Sequence, residues 1–172
     1  MHEFTDAKGD RWTVDVTAGT LRRVQQLLKD QYGNVDLGEP LEGKPPLLTR
    51  FDVEIAFKVD LLYAVLKPQL DERGVSDLEF AERLSGDALF HASEAFMEAW
   101  ADFFRSLRRP YLTAAIEKER QQAAKIWAKG EELVRSEALQ RKLDGDLEEL
   151  GSSVLSSLRS PGATRGPEPS AS

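Results

Sequence analysis

The sequence predicts a mainly α protein: a helical bundle with a small N-terminal β-hairpin, a long C-terminal helix and a disordered tail. Three observations point that way. Apolar side chains recur at steps of three and four along most of the chain, which is one face of an α-helix. Strict alternation is clearest once, at Arg11–Val16, the period of a half-buried strand. From Gly151 onward the composition turns to Ser, Pro and Gly, too poor in apolar groups to offset the entropy of ordering.

Glu3-Phe4-Thr5 leads through Asp6-Ala7-Lys8-Gly9-Asp10 into the alternating run, with Trp12, Val14 and Val16 on one face. Gly9 supplies the positive φ of a tight turn. Two strands alone are marginal in water, so the hairpin must lie against helices or another chain. Thr17 is the N-cap of a helix carrying Leu21, Val24 and Leu28, and Gly33-Asn34 closes it. Val35–Leu48 holds Gly38, Pro40, Gly43, Pro45 and Pro46, so it is expected to be a mobile or docking loop. Thr49 is expected to cap a second helix with Phe51, Ile55, Val59, Leu62 and Leu66 on its stripe, ended by Pro68. Val75-Ser76-Asp77-Leu78-Glu79-Phe80 combines a capping box with a hydrophobic staple. After Ser85-Gly86-Asp87 a helix runs from Ala88 to about Ser106, the most aromatic segment of the chain. Pro110 suits the first turn of the last, long helix. Its stripe is Leu112, Ala115, Ile116, Ala123, Ile126 and Trp127, continued by Leu133, Val134, Ala138 and Leu143. The expected organisation is 1–110 as hairpin and helical core, 111–150 as a projecting helix and 151–172 as the tail.

The chain of 172 residues is long enough for one domain with a real core. Its formal net charge of −7 argues against broad contact with nucleic-acid phosphates. It has no cysteine, which removes disulfides, thiolate zinc sites and a cysteine nucleophile. No apolar run approaches the roughly 20 residues that span a bilayer, and the first residues lack a secretion signal. A cytoplasmic location, without membrane contact, is the default expectation.

Asp87, His91, Glu94 and Glu98 share or adjoin one helical face, the residue types that hold iron, manganese or zinc in helical bundles. The order is reversed from Glu-x-x-His, and no second histidine helix exists, since the other histidine is His2. A solvated charged face is the plainer reading, and no metal or cofactor is expected. Neither a nucleophile elbow nor a glycine-rich phosphate loop is present, so an enzyme is not expected. Arg105, Arg108 and Arg109, with Tyr111, have the chemistry to grip a phosphate or an acidic partner; the plainer reading is that they offset the helix macrodipole. The aromatic stripe Phe90, Phe96, Trp100, Phe103 and Phe104 is wider than one face needs. Either all of it is core, or part of it is a surface for a partner or a second copy.

One wider pattern is familiar. Phe4-Thr5-Asp6-Ala7-Lys8-Gly9-Asp10-Arg11-Trp12-Thr13-Val14 is followed by Thr20-Leu21-Arg22-Arg23-Val24, Asp60-Leu61-Leu62-Tyr63 and Lys67-Pro68-Gln69. Gly74-Val75-Ser76-Asp77, Phe80 and Asp102-Phe103-Phe104 complete it. This pattern, over Phe4 to Leu112, resembles small prophage proteins from the tail-morphogenesis regions of long-tailed phages, nearest to tail assembly chaperones. The resemblance implies a non-enzymatic, mostly helical protein that binds and solubilises the tape-measure protein; no residue-level site carries over. The leading expectation is therefore a chaperone or adaptor for a helical client, touched by Phe90, Phe96, Trp100, Phe103 and Phe104 and by the arginines 105, 108 and 109. A self-associating structural subunit of the virion or tail is the second, and a metal-dependent helical enzyme at His91 and Glu94 the third.

Overall fold

Six helices and one antiparallel hairpin make up the computed structural model, which describes residues 2–135. In chain order they are β1 (His2–Thr5), β2 (Arg11–Val14), α1 (Ala18–Tyr32), α2 (Leu47–Val53), α3 (Ile55–Arg73), α4 (Asp77–Arg83), α5 (Asp87–Ser106) and α6 (Pro110–Arg135). The expected tail from 151 lies outside the described residues, as do Ala138 and Leu143. The chain divides into two compact units, Met1–Lys125 and Ile126–Ser172. Leu112 and Ile116 of α6 are core residues of the first unit, so that unit extends past the boundary expected at 110. Among the described residues no helix is long and apolar enough to cross a membrane.

The hairpin pairs Phe4 with Trp12 and His2 with Val14, and its inward residues Phe4, Trp12 and Val14 are buried. Its turn is built on Asp6, whose side chain has no exposed surface. Asp6 Oδ1 accepts from the backbone N–H groups of Lys8 and Asp10, both at 2.9 Å. Oδ2 accepts from the Trp12 indole at 2.9 Å and from Arg83 at 3.3 Å. Arg83 also reaches Asp10 and Glu79, and its carbonyl accepts the Ala7 N–H. Thus one buried carboxylate shapes the turn, orients the Trp12 indole and ties the hairpin to α4.

The capping predictions hold where they depend only on local sequence. Thr17 accepts from the Thr20 N–H, and Gly33, at φ 75°, closes α1. Ser76 accepts from the Glu79 N–H, with Val75 and Phe80 both buried. The Glu79 carboxylate turns away from the cap to Arg83 and Lys8.

Three expectations are corrected by tertiary contacts. The segment after α1 does not stand off the core: Val35 and Leu37 are buried, and the Leu37 carbonyl accepts the Trp100 indole at 2.8 Å. The second helix starts at Leu47, not at a Thr49 cap, and breaks at Glu54, whose backbone is extended. The break lets Phe51 pack on Phe96 at 4.9 Å while Phe57 packs on Tyr32 at 5.0 Å. Finally, α3 runs straight through Pro68 to Arg73.

Proline has no N–H, so inside a helix it orphans the carbonyl four residues earlier, here that of Ala64. Arg23 of α1 supplies the donors. Its Nε donates to the Ala64 carbonyl and its Nη2 to that of Val65, both at 2.8 Å. Burial lowers the Arg23 pKa, but guanidinium keeps its charge at any ordinary pH. The turn beyond Pro68 then reaches the open edge of β2. The Gln69 amide accepts from the Thr13 N–H and donates to the Thr13 carbonyl, as a neighbouring strand would. Arg73 donates to the Arg11 carbonyl and covers the Trp12 ring.

Arg23→Met should cost about 1–3 kcal/mol in urea denaturation, the size of an orphaned buried acceptor. Pro68→Ala should recover more stability in that background than in the native one, because it restores the missing N–H. A double-mutant cycle with no coupling would refute the account. Asp6→Asn should cost about 1–3 kcal/mol, because the amide keeps one acceptor oxygen and turns an NH2 toward donors that the second carboxylate oxygen now satisfies. Burial pushes Asp6 up, and its four donors outweigh it, leaving the pKa lowered. The contribution of Asp6 is therefore present above its unfolded value near 3.9 and lost as pH falls through the lower folded value. The acid limb of the stability profile should be shallower in Asp6→Asn.

Candidate functional site

The aromatic stripe of α5 is mostly core. Phe96, Trp100 and Phe104 have no exposed surface, with ring centroids stepping 5.2 and 6.5 Å from Phe96 to Trp100 to Phe104. The expectation that they are client contacts is corrected: β1, α2 and the segment around Leu37 cover them. Phe103 is half-buried and packs edge-on against Phe104. Phe90 is half-buried, its ring 5.7 Å from that of His91.

The opposite face of α5 is acidic. Glu94, Glu98 and Asp102 follow at steps of four, so they stand in one row. His2 lies across that row, Nδ1 2.9 Å from Glu98 and Nε2 2.8 Å from Asp102. Arg120 of α6 donates to Glu98 at 2.7 Å and stands 3.7 Å from Glu94. Arg105 joins Asp102 to Glu117. These groups line a cleft of about 340 Å³. Burial, opposed by Arg120, raises the Glu94 pKa. The His2 hydrogen bond, with Arg105, lowers that of Asp102 despite burial. His91 is exposed at the far end. The carboxylates are thus spent on cations, and no group of three or more His, Asp or Glu among the described residues is placed to hold a metal. This arrangement clamps β1 and α6 to α5 and lacks an apposed nucleophile.

The second surface is the corner between α5 and α6. The Arg109 N–H bonds to the Phe104 carbonyl at 3.0 Å and the Arg108 N–H to that of Arg105 at 3.1 Å. Those two bonds form a Schellman closure with Arg108 at the position glycine normally takes. Arg108 sits there at φ 55°, a conformation that costs an L-residue roughly 1–2 kcal/mol. Leu107 and Tyr111 flank it at 52% and 61% exposure. Of the three expected arginines, Arg105 is paired as above and Arg109 stands 3.7 Å from Glu39. Arg108 has no side-chain partner among the described residues. The corner therefore gathers the basic group but not the aromatic one. Sequence reasoning missed Leu107, although a helix end before Pro110 without glycine marks this turn as unusual.

No family model, curated protein or solved structure matches the chain.

His2 holds β1 to α5 through Glu98 and Asp102. His2→Ala should therefore lower the amide protection factors of β1. Unchanged protection would show that the clamp does not hold the strand.

Proposed function

We propose that the protein is a non-enzymatic assembly chaperone or adaptor of the phage-tail type, binding a helical client such as a tape-measure protein. The observation that carries this reading is the α5–α6 corner, where Leu107 and Tyr111 stand more than half exposed beside Arg108. Tyrosine and arginine are the residues over-represented at protein interfaces. An amphipathic client helix offers apolar side chains at every third or fourth position, which suits a small apolar step rimmed by charge. The resemblance over Phe4 to Leu112 supports the same class of client. The contact surface proposed differs from the aromatic stripe, because Phe96, Trp100 and Phe104 lie in the core.

One observation favours the second reading, a self-associating structural subunit. Val53 and Ile55, both more than 60% exposed, flank the α2–α3 break. Sedimentation of the pure chain separates the readings: a ring or filament favours the subunit, a small species the adaptor.

Co-expression with a phage tape-measure protein should keep that protein soluble and co-purify it. Leu107→Ser with Tyr111→Ser should reduce recovery at least tenfold, while shifting the urea midpoint little because both side chains are exposed. Full recovery with the double variant moves the site elsewhere; failure of the native chain to co-purify the client at all sinks the reading.

A further inference from the structure

Arg108 is the odd helix terminus of this protein. At the end of α3 the left-handed position of the same closure is taken by Gly74 at φ 65°, where no Cβ resists it. At the end of α5 the same type of position is filled by arginine at 55°. Glycine would close the helix with less strain. The side chain returns nothing to the fold that its neighbours do not already supply. Arg105 and Arg109 already bring positive charge to the helix C-terminus. Among the described residues the Arg108 side chain forms no hydrogen bond or ion pair, and it stands exposed beside Leu107 and Tyr111, which are exposed too.

We propose that Arg108 is the anchor of the docking corner, taking a carboxylate from an acidic helical segment of the client while Leu107 and Tyr111 take its apolar side chains. This rests on the adaptor reading and adds the chemistry of the partner. A guanidinium meets a carboxylate with two parallel N–H bonds, so one free arginine fixes orientation as well as charge. Strain held at an exposed residue without an internal contact is the expected mark of a binding position. Charge complementarity selects the occupant. The chain carries −7 overall, so an acidic partner is repelled over most of the surface and favoured at this corner by Arg108, whose charge no carboxylate of the described residues offsets, whereas Arg105 and Arg109 are paired. A nucleic acid meets the same general repulsion with one uncommitted arginine to offset it, too few for phosphate-driven binding.

The test uses the full chain and the variants Arg108→Gly, Arg108→Lys and Arg108→Glu. Two probes are titrated: the tape-measure protein, and a synthetic amphipathic helix with Glu bordering its apolar face. Arg108→Gly should raise the thermal midpoint by about 2–4 °C, the shift expected from removing a strained left-handed residue in a chain of this size. It should weaken binding of both probes by about tenfold or more. Arg108→Lys should fall between, keeping charge without the fork, and Arg108→Glu should be weakest. Binding should fall with added salt.

A more stable Arg108→Gly that binds less well is the signature of strain retained for function. Equal binding by Arg108→Gly overturns the anchor, as does an unchanged or lowered midpoint. Tighter Arg108-dependent binding of a short DNA duplex than of the acidic helix also overturns it. If the tape-measure protein fails to bind the native chain while the acidic helix binds through Arg108, the client named above is wrong and the acidic recognition stands. If the tape-measure protein binds all variants equally, the adaptor reading stands and the anchor falls.

Discussion

The fold depends on one buried carboxylate. A two-stranded hairpin is marginal in water, and this one forms a wall of the core through Phe4, Trp12 and Val14. Asp6 makes that possible by closing the turn with two backbone N–H groups and holding the Trp12 indole and Arg83 on its other oxygen. Removing a carboxylate from water is expensive, and the burial is tolerated because every side of the group meets a donor. Arg83 is secured in turn by Glu79, whose hydrogen bond outweighs burial and raises the guanidinium's affinity for its proton. Trp12 can then sit edge-on to Phe80, under the Arg73 guanidinium.

Around that anchor, α5 divides its two faces between the core and charge. Its aromatic face meets β1, α2 and the segment at Leu37, and the small residues Ala92, Ala95 and Ala99 are buried with it. Its acidic face is hydrogen-bonded to His2 and paired with Arg105 and Arg120. Both faces are thus largely engaged within the chain, and the contact surface proposed above lies at the helix end instead. This follows a general pattern: rigid elements fix the position, and connections between them carry the contacts.

Legibility in the sequence tracks the range of the interaction. Caps at Thr17 and Ser76 and the hairpin turn at Gly9 were readable, because each is settled within a few residues. The core character of α5 was readable from its period. How many walls press on it was not, so Phe96, Trp100 and Phe104 stand among the expected client contacts although Leu37 and the other core elements claim them. The proline-rich segment after Val35 illustrates the same limit: its composition excludes regular structure but says nothing of the burial of Val35 and Leu37. Arg108 stood among the predicted partner residues on charge alone. That it is strained and unpaired while Arg105 and Arg109 are paired is a property of the folded corner.

By itself the sequence determined a mainly helical chain with an N-terminal hairpin, the caps of α1 and α4, and the polarity of the faces of α5. These rest on periodicity and on side chains bonding to backbone within one turn. Only the tertiary structure decided where α3 ends. Proline in a helix leaves an orphaned carbonyl, and local rules place a boundary before Pro68. Arg23 reverses that outcome from another helix by donating to Ala64 and Val65, and the extra turn brings Gln69 and Arg73 to the edge of β2. A donor 41 residues away in sequence is invisible to any window that reads neighbours, yet it decides whether the hairpin has a second side.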